Sequence, residues 1–181
     1  MANTTGKKIK DAAIIGGCAS LIYLTIGDIS YRLSLSRGGL NSKLITDMVA
    51  KSAAKKPKNE YKEKLDSMID DGADWFMHQD TEKIIIEKKH RQSLYADLIR
   101  PDKPSNVYII CIHGYTSSPA NMGIYAKKYH ELGYNVLLPS LRGHGDSEQD
   151  FITMGWNDRL DVIEWINYIA ERHPESKIIL H

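Results

Sequence analysis

Val107-Tyr108-Ile109-Ile110-Cys111-Ile112-His113-Gly114 is a six-residue apolar run that ends on a His-Gly step. An uninterrupted apolar run of strand length reads as a strand buried on both faces, the kind from which parallel sheets are built. Downstream, Met122, Tyr125, Tyr129 and Leu132 recur at helical spacing, and Gly133 stands at the C′ position that closes such a helix. Residues 134–139 (YNVLLP) give a second strand. A second helix follows, with Leu160, Ile163, Ile166, Ile169 and Ala170 expected inward and Asp158, Asp161, Glu164 and Glu171 outward, until Pro174 stops it. Residues 177–180 (KIIL) start a third strand. Strand, helix, strand, helix, strand with short connections predicts parallel pairing through right-handed crossovers. In such sheets ligands bind at the carboxyl ends of the strands, so the loops after Ile112, Pro139 and Leu180 are where chemistry is expected.

Working outward, residues 83–87 (KIIIE) are β-rich. Residues 92–100 alternate, with Leu94, Ala96 and Leu98 on one face and Tyr95, Asp97 and Ile99 on the other. The polar stretch 88–91 between them predicts an antiparallel hairpin. Before it, Leu40, Leu44, Ile45, Met48 and Val49 suggest one helix. Tyr61, Leu65, Met68 and Ile69 suggest another that stops near Gly72, with Trp75, Phe76 and Met77 following as an apolar cluster. The expected organisation is a membrane anchor and flank over 1–39, a helical linker over 40–80 and an α/β domain over 81–181.

The anchor rests on residues 12–27, AAIIGGCASLIYLTIG, which carry no charge and follow Lys7, Lys8 and Lys10. As a helix this run spans about 24 Å, short of a roughly 30 Å hydrocarbon core by an amount that local thinning covers. Lysines before the run place the remaining chain outside the cytoplasm by the positive-inside rule. A cleaved signal peptide and a helix buried in a soluble core are the competing readings. The first lacks a small-x-small cleavage site. A lipoprotein signal at Cys18 would have too short a hydrophobic stretch before it.

Composition excludes several classes. Among 181 residues, 24 Lys and Arg against 23 Asp and Glu give a net charge of +1, so no strong field draws in nucleic acid. Two cysteines in apolar runs make neither a disulfide scaffold nor a zinc site. No metal or other cofactor is expected. The loop after Ile112 has one glycine and no phosphate-loop lysine, so both nucleotide cradles fail there.

Two loops hold the candidate site. In His113-Gly114-Tyr115-Thr116-Ser117-Ser118-Pro119 the glycine lets the backbone turn sharply and leaves peptide N–H groups at the crevice, donors suited to a developing oxyanion. A plain strand-to-helix turn capped by Asn121 accounts for the same residues. In Ser140-Leu141-Arg142-Gly143-His144-Gly145-Asp146-Ser147 two glycines flank a histidine. His144 is either a base or, the more economical reading, a histidine that fixes the loop. Neither His113 nor His144 has a Ser or Cys partner identifiable from spacing.

Taken together, VYIICIHG, the Gly133-Tyr134-Asn135-Val136 step and the Arg142-Gly143-His144-Gly145-Asp146-Ser147 block resemble the α/β-hydrolase superfamily over about residues 82–181. Within it they resemble the lysophospholipase-like and serine-aminopeptidase-like bacterial serine hydrolases, some of which carry an N-terminal membrane segment. The resemblance implies a partial α/β-hydrolase fold. It also implies a Ser-His-Asp/Glu triad with the Ser in a G-x-S-x-G elbow, and a small-molecule, lipid or peptide acyl substrate. Carried over by position, His113 and Gly114 open the oxyanion loop and the Tyr115 backbone N–H is an oxyanion donor, its side chain lining the acyl or leaving-group pocket. Arg142, Gly143, His144 and Gly145 become a structural loop beside the active site, and Asp161 a structural acid.

Two departures stand out. Ser140 occupies a position where the family often has Asp, which bears on loop stability more than on catalysis. No G-x-S-x-G occurs in the 181 residues, and residues 177–181 look like the strand that leads into the elbow. The expectation is therefore the front half of a membrane-anchored serine hydrolase, inactive and poorly soluble by itself, with its triad beyond His181. The alternative is a non-catalytic binding or scaffolding module of the same fold. An Asp nucleophile is a third possibility, disfavoured by Thr116 where those families carry Pro.

Overall fold

A computed structural model of the chain describes residues 2–37, 47, 59–90 and 92–181. Five strands form one mixed sheet in the order β1-β2-β4-β3-β5, with β1 at Glu82–Ile86, β2 at Leu94–Ile99, β3 at Val107–Ile110, β4 at Asn135–Ser140 and β5 at Lys177–Leu180. β1 and β2 pair antiparallel, with Ile84 opposite Ala96, and β2 pairs antiparallel with β4. β3 lies parallel to both β4 and β5, Ile109 facing Val136 on one side and Ile179 on the other. The expected hairpin and parallel core are both present.

The apolar run of β3 works because each face of the sheet has its own cover. On one face Tyr108, Ile110 and Leu137 join Leu94, Ala96 and Leu98 beneath Trp165 and Ile169 of α4, the helix Asp158–Arg172. On the other, Ile109, Cys111, Val136 and Leu138 pack with Phe76, Met122 and Ala126. Those last three come from α2 (Glu60–Met77), a 3₁₀ turn over Pro119–Met122 and α3 (Gly123–Glu131). Period-two alternation in β2 is what sends Leu98 to the first layer and Ile99 to the second.

α2 starts where Asn59 accepts the Tyr61 N–H at 3.0 Å, the usual service of an Asn cap. It does not stop near Gly72. The helix runs on to Met77 and buries Phe76, because Gly72 is the place where α2 and α3 touch: a Cβ there would overlap the Ile124 backbone nitrogen. Gly123 is the reciprocal half of that contact. α3 ends as expected, with Gly133 at φ +79°.

α4 departs from its expected facing. Asp158 and Asp161 are buried, whereas Leu160 and Ile163 are about half exposed. The expected helix around residues 40–49 lies outside the described residues. α1 spans Ala2–Leu35 as one helix, and its described apolar side chains, including Leu21, Ile22, Leu24 and Ile26, are exposed. Residues 12, 13, 15 and 19 of the expected anchor have side chains outside the described set. Among the described residues no helix is long and apolar enough to cross a membrane. Gly16 and Gly17 interrupt the apolar run, and Gly27 and Asp28 close it.

Candidate active site

β3 and β4 run parallel, so their carboxyl ends put the 113–118 and 141–151 loops side by side. Between these loops and the start of α4 lies a cavity of about 460 Å³. Ile112, Leu141, Ile152, Met154 and Val162 give it an apolar wall. Gly114, Tyr115, His144, Asp158 and Arg159 supply the polar groups. Size and character fit a small organic ligand with a few orienting contacts.

The two histidines cross-link the loops in opposite directions. His113 is 2% exposed, and its Nε2 accepts the Leu141 N–H at 3.2 Å while Nδ1 lies 3.0 Å from the Gly114 carbonyl. His144 Nε2 accepts the Thr116 N–H at 3.1 Å, and its Nδ1 lies 2.8 Å from the Arg142 carbonyl. A nitrogen that accepts carries no proton, so each ring is neutral with its proton on Nδ1, donated to a carbonyl. The rings meet edge to face, 4.9 Å between centroids. Burial holds the His113 pKa below the ordinary histidine value, and the neighbouring His144 adds to that while Asp158 opposes it. His144 thus fixes the loop, with both ring nitrogens engaged by backbone.

Behind the histidines, Arg142 forks onto the Asp161 carboxylate, Nε at 2.6 Å and Nη2 at 2.8 Å. The hydrogen bond to Asp161 holds the guanidinium above its already high ordinary pKa. Gly143, at φ +73°, lies against the Ile152 backbone nitrogen, 2.7 Å from where a Cβ would stand. Gly145, at φ +49°, packs on the buried Ser140, whose Oγ would be 2.9 Å from its Cβ. Ser147 Oγ accepts the Gly143 N–H at 2.9 Å and closes the loop. Arg142, Gly143 and Gly145 therefore shape the loop from outside the cavity, while His113, Gly114, Tyr115 and His144 line it.

Two features escaped the sequence. Asp158 accepts from Thr153 Oγ1 and the Gly155 N–H, each at 2.7 Å, and so braces the cavity wall ahead of α4. The end of α1 also docks here. Arg37 donates from both guanidinium arms to the Ser147 and Gly145 carbonyls, and the Tyr115 hydroxyl donates to the Ser34 carbonyl. Ile152 N–H donates to Leu35 O at 2.7 Å, and the Tyr31 and Phe151 rings stand 5.5 Å apart. No periodicity marks contacts between residues more than 80 positions apart. Among the described residues no cluster of His, Cys, Asp and Glu could hold a metal ion.

No family profile matches the chain. A thermostable monoacylglycerol lipase of Bacillus sp. strain H-257 is 28% identical over 92 residues, 38% of this chain and 37% of the lipase. An esterase of Pyrococcus furiosus superposes with a TM-score of 0.51 at 27% identity, over 58% of this chain and 41% of the esterase. An α-β serine hydrolase homologue from Coxiella burnetii is similar over 55% of this chain and 50% of its own, at 20% identity and a TM-score of 0.46. The chain thus spans about two fifths of the lipase and of the esterase that it matches. The mixed sheet with its flanking helices is α/β-hydrolase-like, and it is shared with relatives that are ester hydrolases.

Proposed function

We propose that this chain supplies the oxyanion loop and one pocket wall of a serine hydrolase that cleaves an acyl ester, thioester or amide. One observation carries the reading: the His113-Gly114-Tyr115 turn and the Arg142–Gly145 loop meet around a largely apolar cavity at the carboxyl ends of β3 and β4. The esterase and lipase relatives favour an ester among these substrates. In the mechanism, a Ser beyond residue 181 attacks the acyl carbon and His takes the Ser proton, oriented by Asp or Glu. The negative charge that develops on the carbonyl oxygen is met by the Tyr115 N–H and by the N–H following the Ser. The uncharged run 12–27 anchors the enzyme in a bacterial membrane with its catalytic domain outside the cytoplasm. By itself the 181-residue stretch has no turnover.

The test is to read the gene through and past the codon for His181 and to express whatever frame is open. A Gly-x-Ser-x-Gly a few residues on, labelling of that Ser by a fluorophosphonate and hydrolysis of p-nitrophenyl acyl esters are the expected results. A residue other than Ser at the elbow overturns the serine mechanism, and one that is neither Ser, Cys nor Asp points to a binding module. Alkaline carbonate extraction tests the anchor, which predicts that the protein stays with the membrane pellet.

A further inference from the structure

We propose that His113 and His144 form a reciprocal clasp whose purpose is to hold the oxyanion loop in its working shape, making both of them positioning residues. This rests on the hydrolase reading for its purpose, though not for its geometry. Each histidine sits on one loop and accepts a backbone N–H from the other: Leu141 to His113, and Thr116 to His144. Each then returns its Nδ1 proton to a carbonyl of its own loop, Gly114 for His113 and Arg142 for His144. The arrangement is symmetric in logic. Both rings are tautomerically fixed, and neither can release its backbone partner without opening the gap between the loops.

Thr116 explains why a clasp is needed. It has φ +55°, left-handed backbone that a β-branched residue avoids. Such a conformation is strained and persists only where surrounding contacts over-determine it. The Thr116 N–H bond to His144 is one such contact, and the Ser117 N–H bond to the Gly114 carbonyl is another. Tyr115, the proposed oxyanion donor, lies between the two anchor points at Gly114 and Thr116. Relaxing Thr116 would rotate the Tyr115–Thr116 peptide and, through the Tyr115 backbone, shift the Gly114–Tyr115 peptide that carries the Tyr115 N–H.

The experiment is nitrogen-15 NMR and amide exchange on the full 181-residue chain in mild detergent, so that its outcome is independent of turnover. The Nδ1–H tautomer is expected for both rings. In His144→Phe the Thr116 amide should exchange about tenfold faster, in line with loss of one backbone hydrogen bond. The Val136 and Leu137 amides of β4 should keep their protection. His144→Gln brings its side-chain Oε1 to nearly the reach of the imidazole Nε2, so it should restore much of the Thr116 protection. An Nε2–H tautomer at either ring, or Thr116 exchange unchanged in His144→Phe, overturns the clasp. If His144→Phe loosens β4 as well, the Gln variant decides: failure to protect Thr116 in a folded His144→Gln chain also overturns it. Absence of a catalytic Ser downstream would end the hydrolase reading and leave these results standing.

Discussion

Replacing Arg142 with Met would take both guanidinium donors from the Asp161 carboxylate and leave that carboxylate on α4 with 6% of its side chain exposed. No other hydrogen-bond partner of Asp161 exists among the described residues. Stripping one member from a buried pair typically costs about 3–5 kcal/mol, most of it the desolvation of the orphaned charge. For a domain of this size each kcal/mol moves Tm by about 2–4 °C, so the expected drop is roughly 6–20 °C. Arg142→Lys keeps the charge and loses the bidentate fork, which should place it between wild type and Met. The double variant Arg142→Met with Asp161→Leu removes both charges and should recover most of the loss. Thermal melts followed by circular dichroism, with urea titrations, would measure all four proteins. Equal destabilisation in the single and double variants would refute the reasoning.

Gly72→Ala places a methyl on the backbone of Ile124, and since backbone cannot swing aside, α2 must separate from α3. A loss of about 2 kcal/mol or more in urea unfolding is expected, and a neutral effect would sink the close-approach argument. The Cys111 thiol, pushed up to about 12 by burial, should resist iodoacetamide at pH 8 until the chain is unfolded. Rapid alkylation of the native chain at Cys111 would contradict that. For His113 the folded pKa lies below the ordinary value, so the unfolded state binds more protons below about pH 6.5. Stability should be flat above that pH and fall by up to about 1.4 kcal/mol per unit below it, until the folded-state pKa is reached. His113→Gln should lose this slope, and an identical slope in the variant would assign it elsewhere. Arg37→Gln removes the fork onto the Gly145 and Ser147 carbonyls, so the Ile152 amide, bonded to Leu35, should exchange faster.

What could be read in advance was whatever the chain encodes locally. The double-sided apolar run of β3, the alternation in β2 and the glycine after α3 each carry their own signal, and with right-handed crossovers they give the parallel pairing but not the strand order β1-β2-β4-β3-β5. α4 shows where local reading stops. Leu160 and Ile163 have the spacing of an inward stripe, and Asp161 has the look of a solvent-facing acid. Yet Asp161 is turned in because Arg142 waits for it on a loop 19 residues earlier. A period of 3.6 cannot see that partner. Gly72 misled in a similar way, since a glycine ending a helix and a glycine admitting another helix are the same letter. The docking of Arg37 had no local mark at all. His144 was legible in kind, as a loop-fixing histidine, while its reciprocal partner His113 emerged only once the two loops lay side by side.

The backbone donors along the turn after β3 bear on the proposed oxyanion role of Tyr115. Ser117 N–H is used by the Gly114 carbonyl and Thr116 N–H by His144. The N–H groups of Gly114 and Tyr115 meet no acceptor among the described residues. Backbone donors in folded proteins are nearly always satisfied by protein, water or a ligand. Gly114 and Tyr115 are exposed, so their N–H groups face solvent at the rim of the apolar cavity, where they can receive a developing negative charge without first breaking a bond within the chain. The clasp supplies the other half of that requirement. By consuming Thr116 and fixing its left-handed backbone, His144 prevents the turn from relaxing into a shape in which those donors would find partners within the chain. Arg142 and Asp161 in turn hold the loop that carries His144. The buried ion pair therefore bears on the proposed chemistry at two removes, through loop geometry and not through its charge.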